Sequence, residues 1–216
     1  SLRSKLDGEE YITPFEDRSA LQLLYPGAPP VDVRGKLAAT VQTFQLSPTC
    51  AQVRLCGWDA DGVLTVSEDP QTGDLLIEPS AYSSRPGVLS CRWLLPGTRA
   101  DLDCVVPFFQ GVRLKLTDPL LQHRATWPQF WEAGLVILQG KSGGFWVHCE
   151  DDQYRYKALN ISEGVLGFET EAYGPLDSSL GAGGLVWRIN VHQGDWQVPA
   201  GRYRDWLWRT YNLAGQ

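Results

Sequence analysis

The feature that most constrains this chain is a repeated alternation of apolar and polar residues from Thr40 to His192. About ten short runs follow a period of two, which is typical of strands with one buried face. Turns such as Gln71-Thr72-Gly73-Asp74 and Gly140-Lys141-Ser142-Gly143-Gly144 contain residues that tolerate a positive φ. Because hairpins this short join antiparallel strands, the pattern predicts an all-β fold, an antiparallel β-sandwich.

The clearest predicted strands are the following ten segments of the central region. They cover residues 49–56, 62–66, 75–78, 88–95, 102–106, 112–116, 134–139, 144–150, 165–170 and 185–192.

The two ends of the chain differ from this pattern. Residues 1–40 contain Tyr25-Pro26-Gly27-Ala28-Pro29-Pro30, which cannot continue a ladder or a helix, and we expect an extended lead-in that packs on the sandwich of residues 41–196. In residues 197–216 the period changes, and Val198 to Leu213 is predicted as one amphipathic helix with Pro199 in its first turn. The predicted sheet-facing residues recur at three and four positions: Tyr203, Trp206, Leu207, Thr210 and Tyr211. We expect this helix to lead toward a further domain of the same polypeptide, and residues 1–216 to form one domain overall.

Charge and composition exclude several classes of partner. The 216 residues have a net charge of -6 and no basic run, so neither nucleic acid nor an anionic membrane is expected to bind. No apolar run approaches the roughly 18 residues of a membrane span, and no secretory signal is present, so we expect a soluble, cytoplasmic protein. The cysteines are odd in number and lie in apolar runs, which indicates buried thiols in a reducing compartment. Met is absent, even at position 1, so a segment of a longer polypeptide is one interpretation.

Neither a metal site nor a cofactor is predicted. The three histidines, His123, His148 and His192, are too far apart in sequence for a local metal motif. No phosphate-binding loop or dinucleotide fingerprint occurs.

Two of the predicted strands carry polar rows. In one, alternation places Trp146, His148 and Glu150 on the face opposite to the apolar residues, and in the other it places Arg188, Asn190 and His192 there. An exposed aromatic ring beside such groups is a common sugar-binding arrangement, since the ring covers the apolar face of a pyranose and the polar groups bond its hydroxyls. These six residues are therefore the candidate carbohydrate site. Alternatively, they are solvent-facing residues or a contact with a neighbouring domain.

The C-terminal region resembles a segment of large multidomain glycoside hydrolases. The run Trp187-Arg188-Ile189-Asn190-Val191-His192-Gln193-Gly194-Asp195-Trp196, followed by Ala200 and Arg202-Tyr203-Arg204-Asp205-Trp206, resembles their strand, Gly-Asp-Trp turn and helix. In these enzymes the segment leaves an N-terminal β-supersandwich of the galactose-mutarotase-like type and leads into a (β/α)8 catalytic barrel. The stretches Trp127-Pro128-Gln129-Phe130-Trp131, Gly143-Gly144-Phe145 and Glu150-Asp151-Asp152 are similar to late strands of that domain.

The resemblance implies a non-catalytic domain that supports or extends the carbohydrate-binding cleft of a catalytic barrel in the same polypeptide. No catalytic residue is assigned, because the family's carboxylates lie in the barrel. Two alternatives stay open. One is a stand-alone carbohydrate-binding module, and the other is a mutarotase-like aldose epimerase, which needs a His and a Glu as general acid and base.

A domain contact is expected at the C-terminal helix. Trp208 lies off the centre of the predicted sheet-facing side, where no core is expected for it. Trp196, Arg204 and Trp208 are therefore predicted to contact a following catalytic domain.

Overall fold

The computed structural model describes residues 2–12, 20–29, 31–32, 40–56, 60–83, 87–95, 97–171 and 185–213. Its helix, α1, is Gln197–Thr210, and no helix in these ranges is long and apolar enough to cross a membrane. The strands in chain order are β1 Leu2–Arg3, β2 Glu10–Ile12, β3 Leu21–Leu24, β4 Val31–Asp32, β5 Thr40–Ser47, β6 Cys50–Cys56, β7 Ala60–Glu68, β8 Leu75–Ser83, β9 Ser90–Leu95, β10 Asp103–Val106, β11 Val112–Lys115, β12 Gln122–Thr126, β13 Leu135–Gln139, β14 Gly143–His148, β15 Lys157–Ser162, β16 Val165–Glu171 and β17 Trp187–Gln193.

The strands form two large antiparallel sheets and a small two-stranded one. The large sheet has nine strands in the order β11-β10-β13-β14-β17-β8-β7-β6-β5, and the second has six in the order β12-β15-β16-β9-β3-β4. Strands β1 and β2 pair with each other. The structure confirms the predicted antiparallel all-β sandwich with a C-terminal helix.

The main core is built from the facing sides of the two large sheets. Phe145, Val147 and Trp187 of the nine-stranded sheet belong to one buried cluster with Trp93 and Phe168 of the six-stranded sheet. The Trp187 and Phe168 rings lie 5.0 Å apart, and the Trp93 and Phe168 rings stack at 5.2 Å. These large rings bury the most apolar area per residue, so they dominate the contact between the layers.

Two strands of the predicted lead-in, β3 and β4, belong to the six-stranded sheet. β3 pairs with β9 on one side and with β4 on the other, and Leu21 and Leu23 are fully buried. Strands β5, β12 and β15 also went unpredicted. In β15, the inward position of Lys157 obscures the apolar alternation, and this side chain is buried against Asp151.

Helix α1 covers the outer face of the nine-stranded sheet, away from the six-stranded one. Tyr203 is buried against Leu135, Ile137 and Trp146, and Ala200, Trp206 and Leu207 pack around this second cluster. The Tyr203 hydroxyl accepts a hydrogen bond from the Gly134 N–H at 3.2 Å. The predicted packing of the helix on the sandwich is therefore confirmed.

All five cysteines are free thiols. Cys91, Cys104 and Cys149 are buried, as predicted, and burial raises the pKa of Cys91 and of Cys149 to about 12. The prediction is wrong for Cys50 and Cys56, which are partly exposed because β6 lies near the uncovered end of the nine-stranded sheet.

Candidate functional site

The two predicted polar rows meet on the outer face of the nine-stranded sheet. β14 and β17 are adjacent, with Trp146 opposite Asn190 and His148 opposite Arg188. Residues paired across antiparallel strands project to the same face, so the register joins the rows. Trp146 was predicted to be exposed, and this is wrong: it is 3% exposed and His148 is 1% exposed, because α1 packs over them.

A cleft of about 800 Å³ remains between α1 and this face of the sheet. We call it the sheet–helix cleft. Its lining residues come from the β7–β8 turn, from β14 and the loop after it, and from α1 and the turn that follows it: Thr72, Asp74, Trp146, His148, Glu150, Arg202, Asp205, Trp208, Arg209 and Asn212. Its size is in the range of small-molecule sites in proteins.

The floor of the cleft is a stack of two rings. The Trp146 and His148 rings lie 3.8 Å apart and nearly parallel, and Tyr203 meets His148 edge-on at 6.2 Å. Burial lowers the pKa of His148, so the imidazole is neutral at pH 7. Among the described residues, the Trp146 Nε1 and both His148 nitrogens are buried without a hydrogen-bond partner.

The Arg188 guanidinium group contacts three carboxylates beside the Trp146 and His148 rings. Arg188 Nη1 donates to Asp69 Oδ2 at 2.8 Å and to Asp74 Oδ2 at 3.0 Å, and Arg188 Nε lies 3.4 Å from Glu150 Oε2. Asn190 Nδ2 donates to Asp74 Oδ1 at 2.7 Å. These contacts fix the Asp74 and Glu150 side chains that line the cleft.

Asp74 stays ionised although it is buried. Burial favours the neutral acid, but the nearby His148 and the donors Asn190 and Arg188 outweigh burial and hold the Asp74 pKa far below its ordinary value. His148 Nε2 lies 3.7 Å from Asp74 Oδ2, and His148 Nδ1 lies 3.9 Å from Glu150 Oε1. The imidazole thus sits between two carboxylates, at distances longer than a hydrogen bond.

The helix supplies the opposite wall. Arg202, Asp205 and Arg209 follow a spacing of three and four residues, so they share one side of α1. Trp208 is half exposed, and the Arg204 guanidinium lies 5.7 Å from the centre of its ring. The wall therefore offers one aromatic ring and several hydrogen-bond donors and acceptors.

The remaining predicted site residues are distributed over this face. His192 is buried and packs near Gly144, where an added Cβ would lie 3.1 Å from His192 Nε2. Trp196 lines a separate groove between α1 and β10 and β11. Trp208, which was predicted for a domain contact, lines the cleft itself, and Arg204 pairs with the exposed Asp205.

Sequence reasoning missed Asp69, Thr72 and Asp74, and it missed the role of Arg202 and Arg209. The first three lie in or beside the β7–β8 turn, more than 100 residues before Arg188. Arg202, Asp205 and Arg209 could have been found from the sequence. Their spacing of three and four residues predicts that they form one polar stripe along a helix.

The side chains that line the cleft can bind a polar ligand through hydrogen bonds and one aromatic ring. It provides carboxylate acceptors, guanidinium and amide donors, and the half-exposed Trp208 ring. In the described part of the chain, no group of three or more His, Cys, Asp or Glu side chains could hold a metal ion.

Comparison with known proteins gives a structural match but no sequence match. No protein-family profile matches the chain, and no curated protein matches it. The ligand-free α-N-acetylgalactosaminidase NagBb from Bifidobacterium bifidum superposes with a TM-score of 0.62 at 15% identity, covering 93% of this chain and 34% of that chain. The Gal-NHAc-DNJ complex of that enzyme gives 0.61 at 16% identity, with 93% and 35% coverage. This chain thus shares the fold of about one third of that enzyme's chain, which confirms the β-sandwich expected from the resemblance.

Proposed function

We propose that this chain is a non-catalytic β-sandwich domain of a glycoside hydrolase and that it supports or extends the carbohydrate-binding surface of a catalytic domain. The observation that carries the proposal is the superposition of 93% of the chain on a third of an α-N-acetylgalactosaminidase. The sheet–helix cleft adds local support, because it combines the half-exposed Trp208 ring with donors and acceptors suited to hydroxyl groups. In this proposal Trp196, Arg204 and Trp208 lie toward the catalytic domain.

The first test is the coding sequence that follows residue 216. An open frame encoding alternating strands and helices supports the proposal, and a stop codon there contradicts it. The encoded polypeptide is then assayed on aryl α-N-acetylgalactosaminides and α-galactosides, and the 216-residue chain alone is expected to show no turnover.

A carbohydrate-binding module is the second candidate, favoured by the same cleft. Calorimetry of the 216-residue chain against N-acetylgalactosamine, galactose and their oligosaccharides separates the two functions. Saturable heat that Trp208→Ala abolishes indicates a module, and no heat indicates a supporting domain. Trp196→Ala is the matched control, because Trp196 is exposed to a similar degree but lines the other groove.

The aldose epimerase alternative would use His148 or His192 together with Glu150. His148 is 1% exposed and His192 is 3% exposed, so neither imidazole is open to a sugar oxygen in this structure. Polarimetry of galactose mutarotation with and without the chain tests this alternative, and unchanged rates remove it.

A further inference from the structure

The four outer edges of the two large sheets differ in length and charge. Edge strand β4 has two residues, β11 has four and carries Arg113 and Lys115, and β12 has five and carries Arg124. Short strands and charged side chains are the usual means by which proteins prevent another strand from pairing with an exposed edge. These three edges are protected in that way.

The fourth edge, β5, lacks both forms of protection. Its eight residues, Thr-Val-Gln-Thr-Phe-Gln-Leu-Ser, include no charged residue and no proline. At about 3.4 Å per residue it presents an edge of roughly 27 Å. In the described part of the chain, β5 pairs with β6 alone, so its other side carries main-chain N–H and C=O groups without a strand partner.

Both faces of the sheet are open at this edge. Residues 41–46 are all exposed, with Val41 at 63% on one face and Phe44 at 38% on the other, and Leu46 beside them is 56% exposed. Among the described strands and helix, none packs above or below β5, although the Arg54 guanidinium of the neighbouring strand lies 4.9 Å from the centre of the Phe44 ring. From Thr40 to Gln45 the strand is held in regular register by β6, and after a shift in register between Gln45 and Ser47 the pairing ends at Ser47 opposite Cys50.

We propose that β5 is an interaction surface at which two copies of this chain pair edge to edge, antiparallel, around a two-fold axis. An open edge of unpaired main-chain groups is complementary to another strand, and an antiparallel edge is complementary to itself. Self-pairing places no like charges opposite each other, because the strand has none. Pairing centred on Phe44 brings the two Phe44 rings together on one face of a continuous sheet.

The dimer is expected to be weak. Pairing along one strand buries less than the roughly 800 Å² per partner of a standard stable interface. The proposal is independent of the proposed function, since β5 lies at the end of the nine-stranded sheet, four strands from β17.

Sedimentation velocity on the 216-residue chain, over about 10 to 500 µM, tests the proposal. The weight-average mass is expected to rise from 24.1 kDa toward twice that value. Hydrogen exchange at the two ends of this range should show added protection in residues 40–47. A constant monomer mass overturns the proposal, as does a dimer whose added protection lies elsewhere.

Two variants and a control connect the dimer to this edge. Phe44→Lys places two like charges opposite each other at the axis, and Val41→Lys places a charge on the other face of the same edge, where lysine opposes strand pairing; both are expected to weaken dimerisation, Phe44→Lys by about tenfold or more. Leu120→Lys introduces the same charge at an 88% exposed position outside β5 and should dimerise as the wild type does. Circular dichroism and thermal melting identify any variant that fails to fold, and the wild-type exchange measurement needs no variant. Folded Phe44→Lys and Val41→Lys proteins that dimerise like the wild type overturn the proposal.

Discussion

Arg188 and Asp74 show how single residues organise the candidate site. The Arg188 guanidinium contacts Asp69, Asp74 and Glu150, so it offsets negative charge from two loops at once. A buried carboxylate is costly unless it is paired and hydrogen-bonded. The shape of the cleft floor therefore depends on Asp74 remaining ionised.

Asp74→Asn is expected to lower the free energy of unfolding at pH 7 by about 1.5 to 3 kcal/mol, the usual contribution of hydrogen bonds to charged groups. The pKa of Asp74 is lowered by folding, so its contribution is present above the unfolded pKa of about 3.9 and is lost as pH falls toward the folded pKa. The difference between wild type and variant should shrink below pH 4 in urea titrations. Asp152→Asn, at an exposed position, is the control. A difference that is independent of pH would contradict this account.

His148→Phe keeps a ring against Trp146 but removes the titrating group. Because burial lowers the pKa of His148, protonation favours the unfolded chain, and stability is lost as pH falls below the unfolded pKa of about 6.5. Relative to wild type, the variant should gain up to about 1.4 kcal/mol per pH unit between pH 6.5 and 5. Urea titrations at several pH values measure this, with the exposed His123 changed to Phe as the control. Parallel pH profiles for wild type and His148→Phe would show that His148 does not carry the effect.

At the scale of elements, Tyr203 is the buried residue of α1 in the cluster that joins the helix to the sheet. The Tyr203 hydroxyl accepts from the Gly134 N–H and donates to the Cys149 carbonyl at 3.4 Å. Tyr203→Phe leaves these buried groups unpaired and is expected to cost about 1 to 3 kcal/mol. Trp208→Ala removes a half-exposed ring of the same helix and should cost less than about 1 kcal/mol. Chemical denaturation of both variants checks the order, and a larger loss for Trp208→Ala would show that Trp208 is a core residue.

The strands and the helix that the sequence predicted correctly are those with one buried side, because burial of one side produces a regular alternation of apolar and polar residues. β13, β14, β17 and α1 were found because their apolar residues face a core with the expected period. β5 was missed because both of its faces are exposed, so it has no apolar side to recognise. β3 was missed because its place depends on pairing with β9, about 70 residues later, which local propensity does not encode.

The candidate site was predictable only as a set of residues on two strands. Alternation placed Trp146, His148, Arg188 and Asn190 on one face, and the register of β14 and β17 confirms this. It did not place α1 on that face, so it predicted a flat, exposed surface where the structure has a covered one. Asp74 reaches the site through the β7–β8 turn, a long-range contact that strand periodicity cannot reveal.

For the whole molecule, the continuous main core between the two large sheets is the chief reason to expect cooperative unfolding. The cluster between the sheets includes Tyr11, Leu21, Leu23 and Tyr25 together with residues of both large sheets. A single core of this kind favours two-state unfolding. The N-terminal strands are therefore expected to unfold together with the sandwich.

Leu23→Ala tests this expectation, because Leu23 is 1% exposed between β9 and β4. A cavity at such a site costs about 2 to 5 kcal/mol, and if the core is one unit the far-UV circular dichroism and the tryptophan fluorescence must shift to the same new midpoint. Leu6→Ala, at a position 60% exposed, should leave both midpoints unchanged. Deleting residues 1–32 removes β3 and β4, so β9 loses one of its two strand partners, and this should abolish the cooperative transition altogether. If the chain that lacks residues 1–32 instead unfolds at the wild-type urea midpoint, the N-terminal strands do not contribute to the stability of the sandwich. The cooperative folding unit then consists of the residues that follow them.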